Sequence, residues 1–202
     1  MSDINFENKT VVVTGAGNGL GKAYAMEFAK RGANVVVNDI GGSVDGAGSE
    51  NAPADIVVEE IKSNGGSAVA NYDSVATKDG GQSIIDTALN EFGSIHSVVN
   101  NAGILRDKSF AKMEEEDFNA IIDVHLKGTF FVCQPAFIQM KEQGFGRFVN
   151  VSSPSGLFGN FGQLNYGAAK MGIVGLTNVL AIEGMKYNIK ANAIAPNAAT
   201  RM

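Results

Sequence analysis

The 202-residue chain is 45% hydrophobic, with 25 Gly, 4 Pro and a net charge of −5. That balance suits one globular α/β domain burying about 70% of its unfolded surface, and argues against disorder. Without a basic block, nucleic acid and anionic membrane surfaces are excluded as partners. One cysteine, Cys133, and two histidines, His96 and His125, are too few for a structural zinc site or an internal disulfide, so no metal is expected.

The N-terminus carries neither a basic nor an apolar leader pattern, and no apolar run approaches the roughly 18 residues of a membrane span. The chain reads as soluble, with Cys133 as a core thiol of a reducing compartment.

The first apolar run, residues 10–13, leads into a glycine loop holding Gly15, Gly17, Gly19 and Gly21. An amphipathic stretch follows over residues 20–30. A strand, a glycine loop and a helix in that order let backbone approach a pyrophosphate at a helix N-terminus, where about half a positive charge resides. The second run, residues 34–38, is closed by Asp39, whose carboxylate can take both hydroxyls of an adenosine ribose. Gly also serves turns and caps, so the loop signifies dinucleotide binding through this context.

Residues 41–49 hold four glycines and mark a surface loop beside the adenine end. A lid fits there too, but the reading taken is a plain loop insertion. Helical patterns at 54–63, 79–92, 114–141 and 164–187 then alternate with strand runs at 68–71, 95–100, 147–151 and 190–194. Continuous Val/Ile runs imply strands buried on both faces, hence a parallel sheet. Right-handed crossovers make it a doubly wound, Rossmann-type single domain over residues 1–202. The chain stops just past the sixth run, which is read as a truncation before a seventh strand and a C-terminal lid.

After the fifth run come Ser152, Ser153 and Ser155, then Tyr166 and Lys170. Tyr166 and Lys170, four apart, share one helical face. A phenol titrates near pH 10, so an adjacent ammonium is expected to favour the phenolate and make Tyr166 a general acid/base. Alone, such a pair is more often a surface tyrosine with a snorkelling lysine. No Gly-x-Ser-x-Gly elbow surrounds the serines, which removes a serine hydrolase from consideration.

Taken together, these residues resemble the short-chain dehydrogenase/reductase family along essentially the whole chain. Thr14, Gly15, Gly19 and Gly21 match its Thr-Gly-x-x-x-Gly-x-Gly pattern. Asn100, Asn101, Ala102 and Gly103 match Asn-Asn-Ala-Gly, and Tyr166 with Lys170 match Tyr-x-x-x-Lys. The family places its catalytic serine thirteen residues before the tyrosine, which selects Ser153.

The resemblance implies an enzyme in which Gly15, Asn18, Gly19 and Leu20 line the pyrophosphate and adjoining ribose. Asp73 and Ser74 would meet the adenine, although an N-cap or turn role explains Asp73 equally well. Asn101, Tyr166 and Lys170 would face the nicotinamide ribose, and Ala199 and Thr200 the nicotinamide end. Asp39, with no Lys or Arg between residues 34 and 49, favours NAD over NADP.

Two departures stand out. His125 occupies the slot where many relatives carry an Asn that holds a water on the Lys; it is assigned a supporting catalytic role. Pro196-Asn197 replaces the usual Pro-Gly, and Thr200 falls one residue early. Both departures, with residues 37–42, 69–75, 102–107, 124–126, 159–163 and 195–198, resemble one branch. That branch holds the (3R)-hydroxyacyl-CoA dehydrogenase domain of peroxisomal multifunctional enzyme type 2 and its bacterial stand-alone relatives.

The implied reaction is oxidation of a (3R)-3-hydroxyacyl-CoA thioester with NAD. Its implied setting is the cytoplasm, or alternatively the peroxisomal matrix. Rival readings are a 3-oxoacyl-thioester reductase, another secondary-alcohol dehydrogenase, or a non-catalytic nucleotide-binding fragment. Arg106, Lys108 and Lys112 could meet CoA phosphates but read first as a solvated basic face. A homo-oligomer is expected through residues 130–132 and 173–176, which suit core helices equally.

Overall fold

A computed structural model of the chain describes residues 4–48 and 52–197. Six strands, β1 (Thr10–Thr14), β2 (Asn34–Asn38), β3 (Ser67–Asn71), β4 (Ser97–Asn100), β5 (Gly146–Val151) and β6 (Ile189–Ile194), form one parallel sheet in the order β3-β2-β1-β4-β5-β6. The valine runs explain the layering. Val11, Val13, Val35 and Val37 face one helical layer, while Val12, Val36 and Val98 face the other, and all are fully buried. Strand order reverses between β1 and β4, and a ligand crevice opens at the carboxyl ends there.

On the first face lie α1 (Gly19–Lys30) and α2 (Ala52–Ser63). The second is covered by α3 (Lys78–Phe92) and by a continuous helix made of α4 (Glu115–Ile121), a wider π-type turn (Ile122–Lys127) and α5 (Gly128–Gln143). Thr77 caps α3 by accepting from Gly80 N at 3.1 Å, and left-handed Gly93 ends it. A short helix, α6 (Pro154–Phe158), precedes α7 (Leu164–Gly184).

The strand readings hold to within two residues at either end. The unbroken α-helix expected over 114–141 is corrected: its middle six residues widen into the π-type turn, a device that local periodicity does not announce. By length and composition the helix from Glu115 to Gln143 is apolar enough to cross a membrane. Its Val132, Cys133, Ala136 and Met140 are instead packed into the core. The candidate contact segments divide: Val132 and Ile173 are buried, whereas Phe130 is 44% exposed.

Candidate active site

At the switch point, Gly15, Asn18, Gly19, Leu20, Asp39, Asp73, Ser74 and Asn101 line one cleft of about 380 Å3. Eight expected cofactor contacts thus come together from four strand ends. Ala199 and Thr200 lie outside the described residues. Glycine is required at two of these turns. Gly15 has φ +63°, and a Cβ there would sit 2.7 Å from Ala102 Cα. Gly17 lies so close to Asp39 that a Cβ would stand 2.8 Å from its Oδ2.

Asn18 caps α1 without a side-chain hydrogen bond, and no acidic residue occupies the first turn. The leading amides of α1 are therefore left for an anion, and the cradle fits a pyrophosphate.

Two threads tie the loop to the sheet. Thr14 Oγ1 accepts from Asn101 N and Ala102 N, both at 3.1 Å. Asn101 Nδ2 donates to Thr14 O and Gly15 O, also at 3.1 Å, so its amide hydrogens shape the loop and its Oδ1 alone is left toward a ribose. Asp39 accepts Gly17 N on Oδ2 at 2.8 Å and Gly41 N on Oδ1 at 2.7 Å. Each oxygen keeps a second lone pair for a ribose hydroxyl.

The segment after Asp39 is more than a loose insertion. Leu105 N donates to Val44 O at 2.9 Å, Arg106 Nε donates to Asp45 O at 3.0 Å, and Gly46 packs against Ile104. It crosses from β2 to the segment after β4 as a strap over the cleft. Arg106 also lines the cleft, a cation that the stretch after β2 could not reveal.

Polar pairs finish the strand ends. Asn38 and Asn71 are register partners joined at 2.8 Å, and so are Asn100 and Asn150. Asn150 continues to Thr177 Oγ1 on α7 at 2.9 Å. Asn100 also donates to Cys133 Sγ at 3.1 Å, and burial pushes that thiol up to about 12, against the opposing effect of the Asn100 hydrogen bond.

The reactive cluster lies beside the cleft rather than in its lining. Ser153 ends β5's extension and caps α6, accepting from Ser155 N at 3.1 Å. Ser152 turns the other way, donating to Lys170 O at 2.8 Å, which leaves Ser153 as the hydroxyl facing Tyr166. The π-type turn brings His125 edge-on to Tyr166, with ring centroids 5.1 Å apart at 86°. Lys170 Nζ stands 5.4 Å from the Tyr166 ring centroid. Ser153, Tyr166, Lys170 and His125 are thus neighbours.

Sequence reasoning missed the anchor of this cluster, Asn165. It is fully buried and donates to Arg106 O at 3.0 Å and Asp117 O at 3.1 Å, while its Oδ1 accepts Tyr166 N at 2.8 Å.

Electrostatics correct one expectation. Lys170 is 3% exposed and donates to Val151 O at 2.7 Å, away from the phenol; burial draws it down to about 7. Burial holds Tyr166 above its ordinary value, and Asp107 adds to this, while the Ser153 hydroxyl acts the other way. In the free chain the lysine therefore does not make a phenolate, because its ammonium is desolvated and turned to a carbonyl.

Burial also drives His125 well below 6.5, helped by the Lys170 charge and opposed by the Ile104 backbone bond. Its Nε2 lies 3.1 Å from Ile104 N and 2.8 Å from Ile104 O; Nδ1 is buried without a partner. Of the candidate CoA-binding cations, Lys108 pairs with Asp117 at 2.7 Å and Arg106 reaches the same carboxylate at 3.7 Å.

A reversal-point cleft cradled by glycines, with a tyrosine, serine and lysine beside it, defines a nicotinamide-dependent oxidoreductase of Rossmann type. The chain belongs to the short chain dehydrogenase family, which it matches over residues 9–202. It is 60% identical over 196 residues to a putative short-chain type dehydrogenase/reductase of Mycobacterium tuberculosis, covering 97% of this chain and 68% of that protein. It is 56% identical over 201 residues to peroxisomal multifunctional enzyme type 2 of Mus musculus, covering all of this chain and 27% of that protein. The crystal structure of a short chain dehydrogenase from Mycobacterium avium superposes with a TM-score of 0.89 at 47% identity, over 98% of this chain and 70% of that one.

Proposed function

We propose that the chain oxidises (3R)-3-hydroxyacyl-CoA to 3-oxoacyl-CoA with NAD. The observation that carries this reading is the meeting of Ser153, Tyr166, Lys170 and His125 beside the dinucleotide cleft. When bound, the nicotinamide ring supplies the hydride acceptor. The protein's part is to hold the carbinol oxygen and take its proton. Ser153 Oγ orients that oxygen, and Tyr166 Oη takes its proton while passing its own phenolic proton on toward Lys170, as the substrate becomes a ketone.

Lys170, drawn to about 7, accepts or returns a proton near neutral pH. The orphaned Nδ1 of His125 holds the water that passes it on. For the reverse direction the same groups run backwards.

NAD is favoured over NADP because Asp39 is pinned by two backbone amides where a 2′-phosphate would fall. Arg106 does not offset this, since Asp45 O and Asp117 already engage it. The acyl-thioester class is supported by the branch resemblance and by the 56% identity to the mouse multifunctional enzyme. It is supported also by an apolar strip beside the reactive cluster, where Phe158 and Phe161 are 86% and 89% exposed. The setting is the cytoplasm, with the peroxisomal matrix as the alternative.

The test is formation of reduced nicotinamide from (3R)-3-hydroxyacyl-CoA and NAD, alongside Tyr166→Phe. Turnover that vanishes in the variant, with the (3S) isomer and NADP inert, is the expected result. Turnover retained by Tyr166→Phe, or none by the wild type while dinucleotide binds, would overturn the assignment.

A further inference from the structure

The outer end of the cleft holds a carboxylate whose surroundings are built more carefully than a loop residue needs. Asp73 lines the cleft just beyond β3 and is exposed, so nothing but hydrogen bonding fixes its side chain. Its Oδ2 accepts two hydrogen bonds, from Ser83 Oγ on α3 at 2.7 Å and from Asn71 Nδ2 at 3.0 Å. The amide of Asn71 is itself locked. Thr87 Oγ1 gives its only hydrogen to Ser83 O, so toward Asn71 Nδ2, 3.0 Å away, it can only accept. Asn71 Oδ1 is then the acceptor for Asn38 Nδ2 at 2.8 Å and for Asp73 N at 3.1 Å. Asn38 Nδ2 also holds Asp73 O at 2.9 Å.

Among the described residues every donor around Asp73 therefore points at Oδ2 or at its backbone, and Oδ1 is left as an oriented acceptor without a partner there. A carboxylate oxygen held this way selects a donor. At the base end of a dinucleotide cleft, the donor that distinguishes purines is the exocyclic 6-amino group; a 6-oxo purine offers an acceptor and leaves two acceptors facing each other.

We propose that Ser83 and Asn71 act as positioning residues that hold Asp73 to read the 6-amino group of the dinucleotide's adenine. The proposal rests on the dinucleotide reading above and adds residues to it. Ser83 is not itself a lining residue and reaches the cleft through its hydrogen bond to Asp73. A site built to pair with a donor disfavours the analogue that lacks it, because the oriented acceptor then faces another acceptor.

The experiment titrates the full chain with reduced NAD and with its hypoxanthine counterpart, in which the 6-amino group is replaced by oxygen, following nicotinamide fluorescence. Three proteins are compared: wild type, Ser83→Ala and Ser83→Thr. Wild type is expected to bind the adenine form about 10-fold more tightly, as one charge-assisted hydrogen bond implies. Ser83→Ala should close that gap to within about 3-fold by weakening only the adenine form, while Ser83→Thr, which keeps the hydroxyl, restores it. A gap unchanged in Ser83→Ala, equal weakening of both dinucleotides, or no discrimination by wild type would overturn the proposal. Wild type binding neither dinucleotide would instead sink the dinucleotide reading, and the proposal with it.

Discussion

Replacing Lys170 with Met separates the cost of a buried ammonium from the benefit of its hydrogen bond. Lys170 titrates near 7 in the folded chain against an ordinary 10.5 once unfolded. Between those values the unfolded chain keeps a proton that the folded chain has shed, so stability rises with pH across that window. Above 10.5 the lysine's full contribution is present, and it is lost as pH falls through 7. The gap corresponds to roughly 5 kcal/mol of destabilisation at low pH. Removing the lysine also strips Val151 O of its donor at 2.7 Å, which costs about 1–3 kcal/mol. Lys170→Met should therefore be more stable than wild type at pH 6 by roughly 2–4 kcal/mol, and less stable above pH 10.5 by about 1–3 kcal/mol. Urea unfolding of both proteins from pH 6 to 10.5 measures this directly. Parallel curves, or a variant that is weaker already at pH 6, would refute the account of a desolvated amine.

Three further outcomes follow from the same geometry. His125 stays neutral in the folded chain well below 6.5, so wild type should lose stability as pH drops through 6.5. His125→Asn should lack that slope of about 1.4 kcal/mol per pH unit, read from urea midpoints at pH 6.5 and 5. Gly103→Ala places a methyl inside contact distance of His125 Cε1; tilting the ring should cost about 1–3 kcal/mol in thermal unfolding and depress turnover. Beyond the expected contact segments at 130–132 and 173–176, Ile182 near the end of α7 and Met185 just past it are 70% and 75% exposed, an apolar surface that can pair copies of this chain. Ile182→Glu with Met185→Glu should shift sedimentation to the monomer, and an unchanged coefficient would move the interface elsewhere.

Strands β1, β2 and β4 were legible as short Val-rich runs buried on both faces, while β3, β5 and the valine-free β6 were legible through their alternation with helical patterns. The residues lining the cleft were legible because their glycines and Asp39 sit at fixed offsets from those runs. What stayed hidden depends on partners far along the chain. The strap after Asp39 is closed by Leu105 and Arg106, about 60 residues on, and nothing between 41 and 49 hints at them. The π-type turn beneath His125 leaves no mark in hydrophobic spacing. The direction of Lys170 was misjudged because Tyr166 is its neighbour by helical spacing, whereas Val151 O is its neighbour only in space. Ser83 and Asn165 carry no motif; Ser83 bonds Asp73, and Asn165 joins Arg106, Asp117 and Tyr166, links that only the fold creates.

The asparagines at the strand ends have a consequence for how this protein can change. One pair ties β2 to β3 and the other ties β4 to β5, and the two pairs share no residue. Between them β1 contributes Thr14, which braces the glycine loop against β4. The rim is thus two paired blocks joined by Thr14, by the Asn101 amide on the glycine loop and by the strap from Val44 and Asp45 to Leu105 and Arg106. A substitution in one asparagine pair therefore leaves the hydrogen bonds of the other in place, so each side of the rim can vary while its neighbour keeps its register.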